Sequence, residues 1–344
     1  MAITWTERQP GGAADYDWIS AACDSDGSFM IAAVLGGRVY ISTNSGVNWS
    51  DAKPAGDVNS DWYSVACDAD GTNLMAGCNG AVYVSSNGGT NWTNSKAGIA
   101  YGSASDSVGS NLLVVMSQGR VWTTANGAAP WTERQPIGNN NGNWRGAACS
   151  TDGTFLFVSS SETGGRLYTS TNSGANWTER QPAGNVDQNY YMIASDSDGS
   201  NLIACPYGAR LWTSADGGAN WTEQYPPGGT KANRNWRGCA SDSTGTNVIV
   251  VEHSSGRVWV SNDSCSNWHE EYPPGGTPAN KSWVGTGLSS DSTHYIVGGF
   301  AGRLYTGVAA ATTSIKKYMG VPYASIGKAN KVLKANIKKI IGVS

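Results

Sequence analysis

The sequence predicts an all-β fold: a seven-bladed β-propeller of four-stranded blades, its ring closed by the N-terminal strand, with a short C-terminal extension. Three observations carry this expectation. A tryptophan recurs at Trp5, Trp49, Trp92, Trp131, Trp177, Trp221 and Trp268, at spacings of 39 to 47 residues. A second landmark, "GRVY" or a relative of it, also counts to seven, at Arg38, Ala81, Arg120, Arg166, Arg210, Arg257 and Arg303. No window sustains the 3.6-residue apolar period of a helix, and 45 Gly, 15 Trp and 15 Tyr against 4 Phe favour strands and turns.

One unit, residues 144–181, shows the elements in order. "WRGAACS" is a first strand, "TDG" a turn, "TFLFVSSS" a second strand and "ETGG" a loop. "RLYTST" follows as a third strand, then the turn "NSGAN", and "WTERQ" ends the unit. Short strands bounded by Gly, Asn, Asp and Ser clusters, repeated about every 44 residues, fit propeller blades. The small residues Ala21-Ala22-Cys23 and Ala147-Ala148-Cys149 suit an innermost strand, where blades crowd the axis. The last unit has three strands, running from Trp283 and through Arg303 to Thr306, but no closing tryptophan. Trp5 supplies it. The chain begins with the end of a repeat, so its first residues are expected to complete the last blade and remove an open edge.

Composition narrows the function. No run approaches the 18 apolar residues of a membrane span, and "MAITWTERQP" does not read as a secretory signal. Seven cysteines include Cys23, Cys67 and Cys149 at equivalent places in different repeats, too far apart to pair, so buried free thiols are expected. Three histidines and no C-x-x-C argue against zinc, and no cofactor is expected. "DSDGS" at Asp24 and Asp196 and "DADGT" at Asp68 lack the bidentate Glu of a calcium loop and read as hairpin turns. The sequons at Asn48, Asn91, Asn176 and Asn220 are by-products of the turn before each tryptophan.

That turn is itself a motif. Six copies stand in register: Ser42, Asn44, Gly46; Ser85, Asn87, Gly89; Thr124, Asn126, Ala128; Ser170, Asn172, Gly174; Ser214, Asp216, Gly218; and Ser261, Asp263, Cys265. The pattern resembles the Asp-box (S-x-D-x-G-x-x-W, the BNR repeat) of sialidase-like propellers over residues 1 to about 308, with Asn for Asp in four copies. Its mechanics are structural: the Asx side chain satisfies backbone N–H groups, glycine accepts positive φ, and the tryptophan packs beneath.

Ligand binding is expected on one face. The loop entering the first strand and the loop between strands two and three open on the same side of a four-stranded blade. Trp18, Trp62, Trp144, Tyr190, Trp236 and Trp283 start first strands there, with Ala100 in the seventh place. Arg38, Arg120, Arg166, Arg210, Arg257 and Arg303 begin third strands beside the other loop. Aromatics and guanidinium groups together suit sugars, carboxylates and phosphates; the competing reading makes both sets the glue of the repeat. The sialidase resemblance implies an arginine triad, a Tyr–Glu nucleophile pair and an acidic proton donor. Here every arginine is repeat-equivalent and no tyrosine is singled out, so no enzyme activity and no catalytic residue is expected. Glu162, Glu252, Glu270 and Glu271 depart from the repeat and read as solvated loop charge.

The chain divides into a propeller, 1–311, and a tail, 312–344. The tail holds seven lysines and no acid, whereas the body sets 16 basic residues against 26 acids, a formal charge of −10. "SIKKYMGVPYA", "SIGKANKVLKA" and "NIKKIIGVS" repeat every eleven residues, but Gly320-Val321-Pro322 and Gly342-Val343 interrupt any helix. With Tyr318 and Tyr323 its only aromatics, the tail is a poor nucleic-acid binder. These repeats resemble C-terminal segments of structural proteins from tailed phages and related viruses. That resemblance implies an anchor through Lys316, Lys317, Lys338 and Lys339. The expectation is a non-enzymatic virion structural protein, the propeller displayed for decoration, as a tail-fibre part, or for adhesion to host-surface glycan, and the tail docked to other virion proteins. The alternative is a cytoplasmic assembly factor, with a glycosidase, as the sialidase resemblance would imply, the third reading. Photosystem II assembly-factor-like propellers resemble this chain in having seven Asp-box-type blades and an arginine-rich face.

Overall fold

In the computed structural model, residues 2–161, 165–226, 233–254, 256–273 and 281–310 are described. Among them every regular element is a β-strand, and residues 2–309 form one compact unit. The strands are arranged as in a propeller. The anchor lysines Lys316, Lys317, Lys338 and Lys339 lie outside the described residues, as does Glu162.

Each repeat unit folds as an antiparallel meander because its short apolar runs are separated by residues that turn the chain. Three units stand alone as four-stranded sheets; the others join into a six-stranded and an eight-stranded sheet. The six-stranded sheet arises because Leu74–Ser85 and Thr93–Ser105 are long continuous strands. Thr93–Ser105 pairs with Leu74–Ser85 through its first part and with Leu112–Met116 through its last. The eight-stranded sheet arises because Leu202–Ala209 pairs with Asn189–Ser195 and also with Arg234–Ser241 of the next unit.

The N-terminal strand Ile3–Arg8 pairs with Leu304–Ala309, placing Trp5 opposite Gly307. Trp5 is buried in the cluster of Tyr295 and Tyr305, and its indole donates to Glu271 Oε2 at 3.0 Å. The segment therefore completes the last sheet and ties it to the one before.

Seven first strands surround the axis: Trp18–Cys23, Trp62–Cys67, the end of Thr93–Ser105, Trp144–Cys149, Asn189–Ser195, Arg234–Ser241 and Ser282–Leu288. Each packs against the next, and the last against the first. A cyclic chain of backbone hydrogen bonds binds one end of this ring. Ser25 donates to Ala69, Ala69 to Ser107, Ser107 to Thr151, Thr151 to Ser197, Ser197 to Ser243 and Ser243 to Ser290, and Asp291 returns to Ser25. The crowding explains the small residues. A Cβ on Gly102 would stand 2.3 Å from the Arg145 carbonyl oxygen, and one on Gly238 2.4 Å from that of Val284. The channel down the axis has a cavity of about 250 Å³.

The repeated turns are built from their own side chains. Ser42 Oγ accepts from Gly46 N at 2.9 Å, Asn44 Oδ1 accepts from Asn48 N at 2.8 Å, and the Trp49 indole donates to Gly46 O. The same three bonds recur at Trp92, Trp177 and Trp221. The third position takes positive φ, 77° at Gly46 and 65° at Cys265, where a side chain is held in a region that favours glycine. The Thr124 copy departs, and its Trp131 indole donates to Ser95 Oγ instead. The carboxylates of the calcium-like sequences also cap their own hairpins: Asp24 accepts from Ser28, and Asp68 and Asp196 accept from Asn73 and Asn201.

Candidate functional site at the channel mouth

The first-strand aromatics are not a surface. Trp18, Trp62, Trp144, Tyr190, Trp236 and Trp283 are each 1% exposed, and they fill the hydrophobic clusters between neighbouring units. Three indoles reach the strand 2–3 turn of the preceding unit, donating to Gly37 O, Gly119 O and Gly256 O at 2.9–3.2 Å. A flat apolar side chain at a sheet edge gains most by wedging between units, so these rings are packed where no ligand from solvent meets their faces.

The third-strand arginines are ion-paired within their own units. Arg38 faces Asp51, Arg120 Glu133, Arg166 Glu179, Arg210 Glu223, Arg257 Glu270 and Arg303 Glu7, at 2.5–3.7 Å. Each acid lies two residues after the unit's tryptophan on the fourth strand. Loop acids add to this at Asp57, Asp187 and Asp15. The unit with Ala81 has Asn94 at the acid's place, so arginine and acid are absent together.

Of the acids read as departing from the repeat, the three among the described residues are not solvated loop charges, and Glu270 holds the repeat's own place two residues after Trp268. Glu252 ends a strand, is 1% exposed, and accepts from Arg234 Nη1 at 2.7 Å and the Trp259 indole at 2.6 Å. Glu270 is held by Arg257, and Glu271 by the Trp5 indole, with His269 Nε2 3.4 Å from its other oxygen. A buried carboxylate is tolerated only when paired, and these three are paired. The thiols are all free, and burial drives those of Cys23, Cys67 and Cys149 upward, to about 12 at Cys149.

A different set of residues gathers at the mouth. The register of every first strand shifts immediately after its leading residue, between Trp18 and Ser20, Trp62 and Ser64, Ala100 and Gly102, Trp144 and Ala147, Tyr190 and Met192, Trp236 and Gly238, and Trp283 and Gly285. A bulge re-aims the side chain at its extra residue. Here those residues are Ile19, Tyr63, Tyr101, Arg145, Tyr191, Arg237 and Val284, and the tyrosines and arginines among them gather on one another. A second set stands one residue after the second-strand partner of each of those leading residues, at Leu35, Asn79, Ser117, Ser161, Tyr207, His253 and Phe300, and is aromatic only in the last three units.

Side chains of the two sets form a continuous arc. Tyr63 and Tyr101 stack at 4.3 Å and 11°. The Arg145 guanidinium lies 4.2 Å from the Tyr101 ring and 5.3 Å from Tyr191, and Arg237 lies 4.3 Å from Tyr191 on. Tyr191 meets Tyr207 at 5.3 Å, Tyr207 meets His253 at 6.1 Å, and His253 meets Phe300 at 6.1 Å. Such contacts add roughly 0.5–1.5 kcal/mol each to the burial of the rings. Burial lowers the Arg237 pKa, with the Arg145 charge adding to it. Burial also lowers that of His253, and Arg237 lowers it further. Tyr63 is pushed up to about 12 by burial and by Tyr101.

These residues escape a reading that looks for repetition. The position after each first-strand aromatic, or after Ala100 in its place, runs Ile, Tyr, Tyr, Arg, Tyr, Arg, Val, while the residues around it repeat. Variation inside an invariant frame was the available signal.

No protein-family model and no curated protein matches the sequence. Solved structures do. A structure described as "YCF48 bound to D1 peptide" is similar with a TM-score of 0.67 at 14% identity, over 90% of this chain and 97% of that one. YCF48 from Cyanidioschyzon merolae is similar with a TM-score of 0.65 at 13% identity, over 88% and 98%. The β-propeller domain of Cps50 (Swd1) from Myceliophteria thermophila gives 0.62 at 10% identity, over 89% and 100%. At these identities the likeness is one of fold, and the fold is that of a β-propeller.

Proposed function

We propose that this chain is a non-catalytic binding module, a propeller of seven four-stranded blades that holds a polypeptide segment across its channel mouth, in the manner of an assembly factor. The observation that carries the reading is the arc from Tyr63 to Phe300, which breaks the symmetry of the ring at the channel mouth. Half-buried tyrosine rings and guanidinium groups, the exposed Phe300 ring and the half-buried Ile19 and Leu35 suit the mixed surface of a peptide better than a uniform sugar. That one similar propeller is described as bound to a peptide supports the same reading. The blade count is supported by the closed cycle of seven first strands and by the hydrogen-bonded girdle. Display on a particle draws its support from the lysine tail alone, and that segment would then be the anchor.

A synthetic peptide array probed with the full chain tests this. The expected result is retention of discrete peptides, lost in a Tyr101→Ala/Tyr191→Ala variant that melts with the parent. A folded chain that retains no peptide, but binds glycans on a parallel array, would overturn the peptide reading in favour of adhesion.

A further inference from the structure

Among the described residues, the two arginines of the mouth make no ion pair. Every third-strand arginine has an acid within its own unit, and Arg234 has Glu252. Arg145 and Arg237 have no carboxylate partner among the described residues, in a body that carries ten more acids than bases. Arg145 donates from Nε to Ser161 Oγ at 3.1 Å, and otherwise the groups facing the pair are tyrosines and the neutral-leaning His253. The acid next to His253 in sequence, Glu252, is turned inward onto Arg234 and Trp259.

Two like charges held against one tyrosine ring repel, and each is partly withdrawn from water. Proteins keep such an arrangement at a cost unless something else brings the opposite charge. We infer that the mouth receives a carboxylate between Arg145 and Arg237, above Tyr191, and that the carboxylate belongs to an Asp or Glu side chain of the bound polypeptide. The inference rests on the polypeptide reading and specifies its ligand. A guanidinium seated on a ring face leaves its N–H edge for an in-plane acceptor, and the planar carboxylate is the matching group. The adjoining rings of Tyr101 and Tyr207 then flank the residues beside the acid. Arg145 and Arg237 act as binding residues, and the rim arginines, neutralised within their own units, do not.

The probe is acetyl-Gly-Glu-Tyr-Glu-Gly-amide, whose only carboxylates are side chains, against its glutamine counterpart and against inorganic phosphate. Binding to the full chain is measured by calorimetry at low ionic strength. The acidic peptide is expected to bind at least about tenfold tighter than the amide one, a difference that corresponds to one charge-assisted contact. Arg145→Gln and Arg237→Gln abolish that preference, Arg237→Lys retains part of it, and Arg120→Gln, on the paired rim, leaves it intact. Melting curves of each variant keep loss of binding distinct from loss of fold. Equal binding of the two peptides, or a preference that survives both glutamine variants, overturns the clamp and leaves the polypeptide reading standing. Binding of phosphate as tight as the acidic peptide, and lost in the same variants, overturns the polypeptide source of the anion. If neither peptide binds, the inference falls, and the array decides whether the broader reading falls with it.

Discussion

Adjacent residues on the first strands meet opposite fates. Trp144 is wedged between sheets while Arg145, one residue on, lies against Tyr101 and Tyr191, because a bulge separates them. The same step separates Trp236 from Arg237, whose charge reaches His253. A histidine whose pKa is lowered in the folded state binds fewer protons there than in the unfolded chain, so stability rises with pH across the interval. The contribution of neutral His253 is therefore complete above the unfolded value of about 6.5 and declines as pH falls through the interval below it. Arg237→Gln removes one of the two causes and is expected to raise the His253 pKa, read from its imidazole proton resonances. A titration unchanged by the variant would mean that burial alone sets the value.

At the scale of the element, each unit is held by features that work only as pairs. The third-strand arginine and the fourth-strand acid occur together in six units and are missing together in the seventh. Each exposed pair contributes only about 0.2–1 kcal/mol, so their repetition sets geometry more than stability. The N-terminal strand is different, because it carries a buried tryptophan and covers an edge. Deleting residues 2–10 removes Trp5 from its cluster and leaves Leu304–Ala309 unpaired on that side. The expected loss is at least about 3 kcal/mol, the usual minimum for a buried aromatic, together with self-association through the open edge. Calorimetry and size-exclusion chromatography check both. An unchanged melting temperature would show that closure is not what holds the ring.

For the whole molecule, the compact unit of residues 2–309 contains the seven hydrophobic clusters, the girdle and the mouth. Removing residues 312–344 is therefore expected to leave the melting transition of the body unchanged, as read by calorimetry. A lowered transition would place part of the body's stability in the lysine-rich segment.

Much of the fold was legible because it is periodic. The recurrence of Trp49, Trp92, Trp177 and Trp221 reports a local hydrogen-bonded turn, and the missing tryptophan after Thr306 reports the strand exchange that Trp5 completes. Local rules of turn and strand act on neighbouring residues, so one sequence contains them. The site was legible only in part, since periodicity draws attention to the residues that repeat. Trp18 and its equivalents repeat because packing between units demands it, and Arg38 and its equivalents because each has an acid opposite. The direction of Arg145, Tyr191 and Arg237 was decided by tertiary structure. Seven bulged strands converge on one axis, and residues some 46 positions apart, such as Tyr191 and Arg237, become neighbours only when the ring closes.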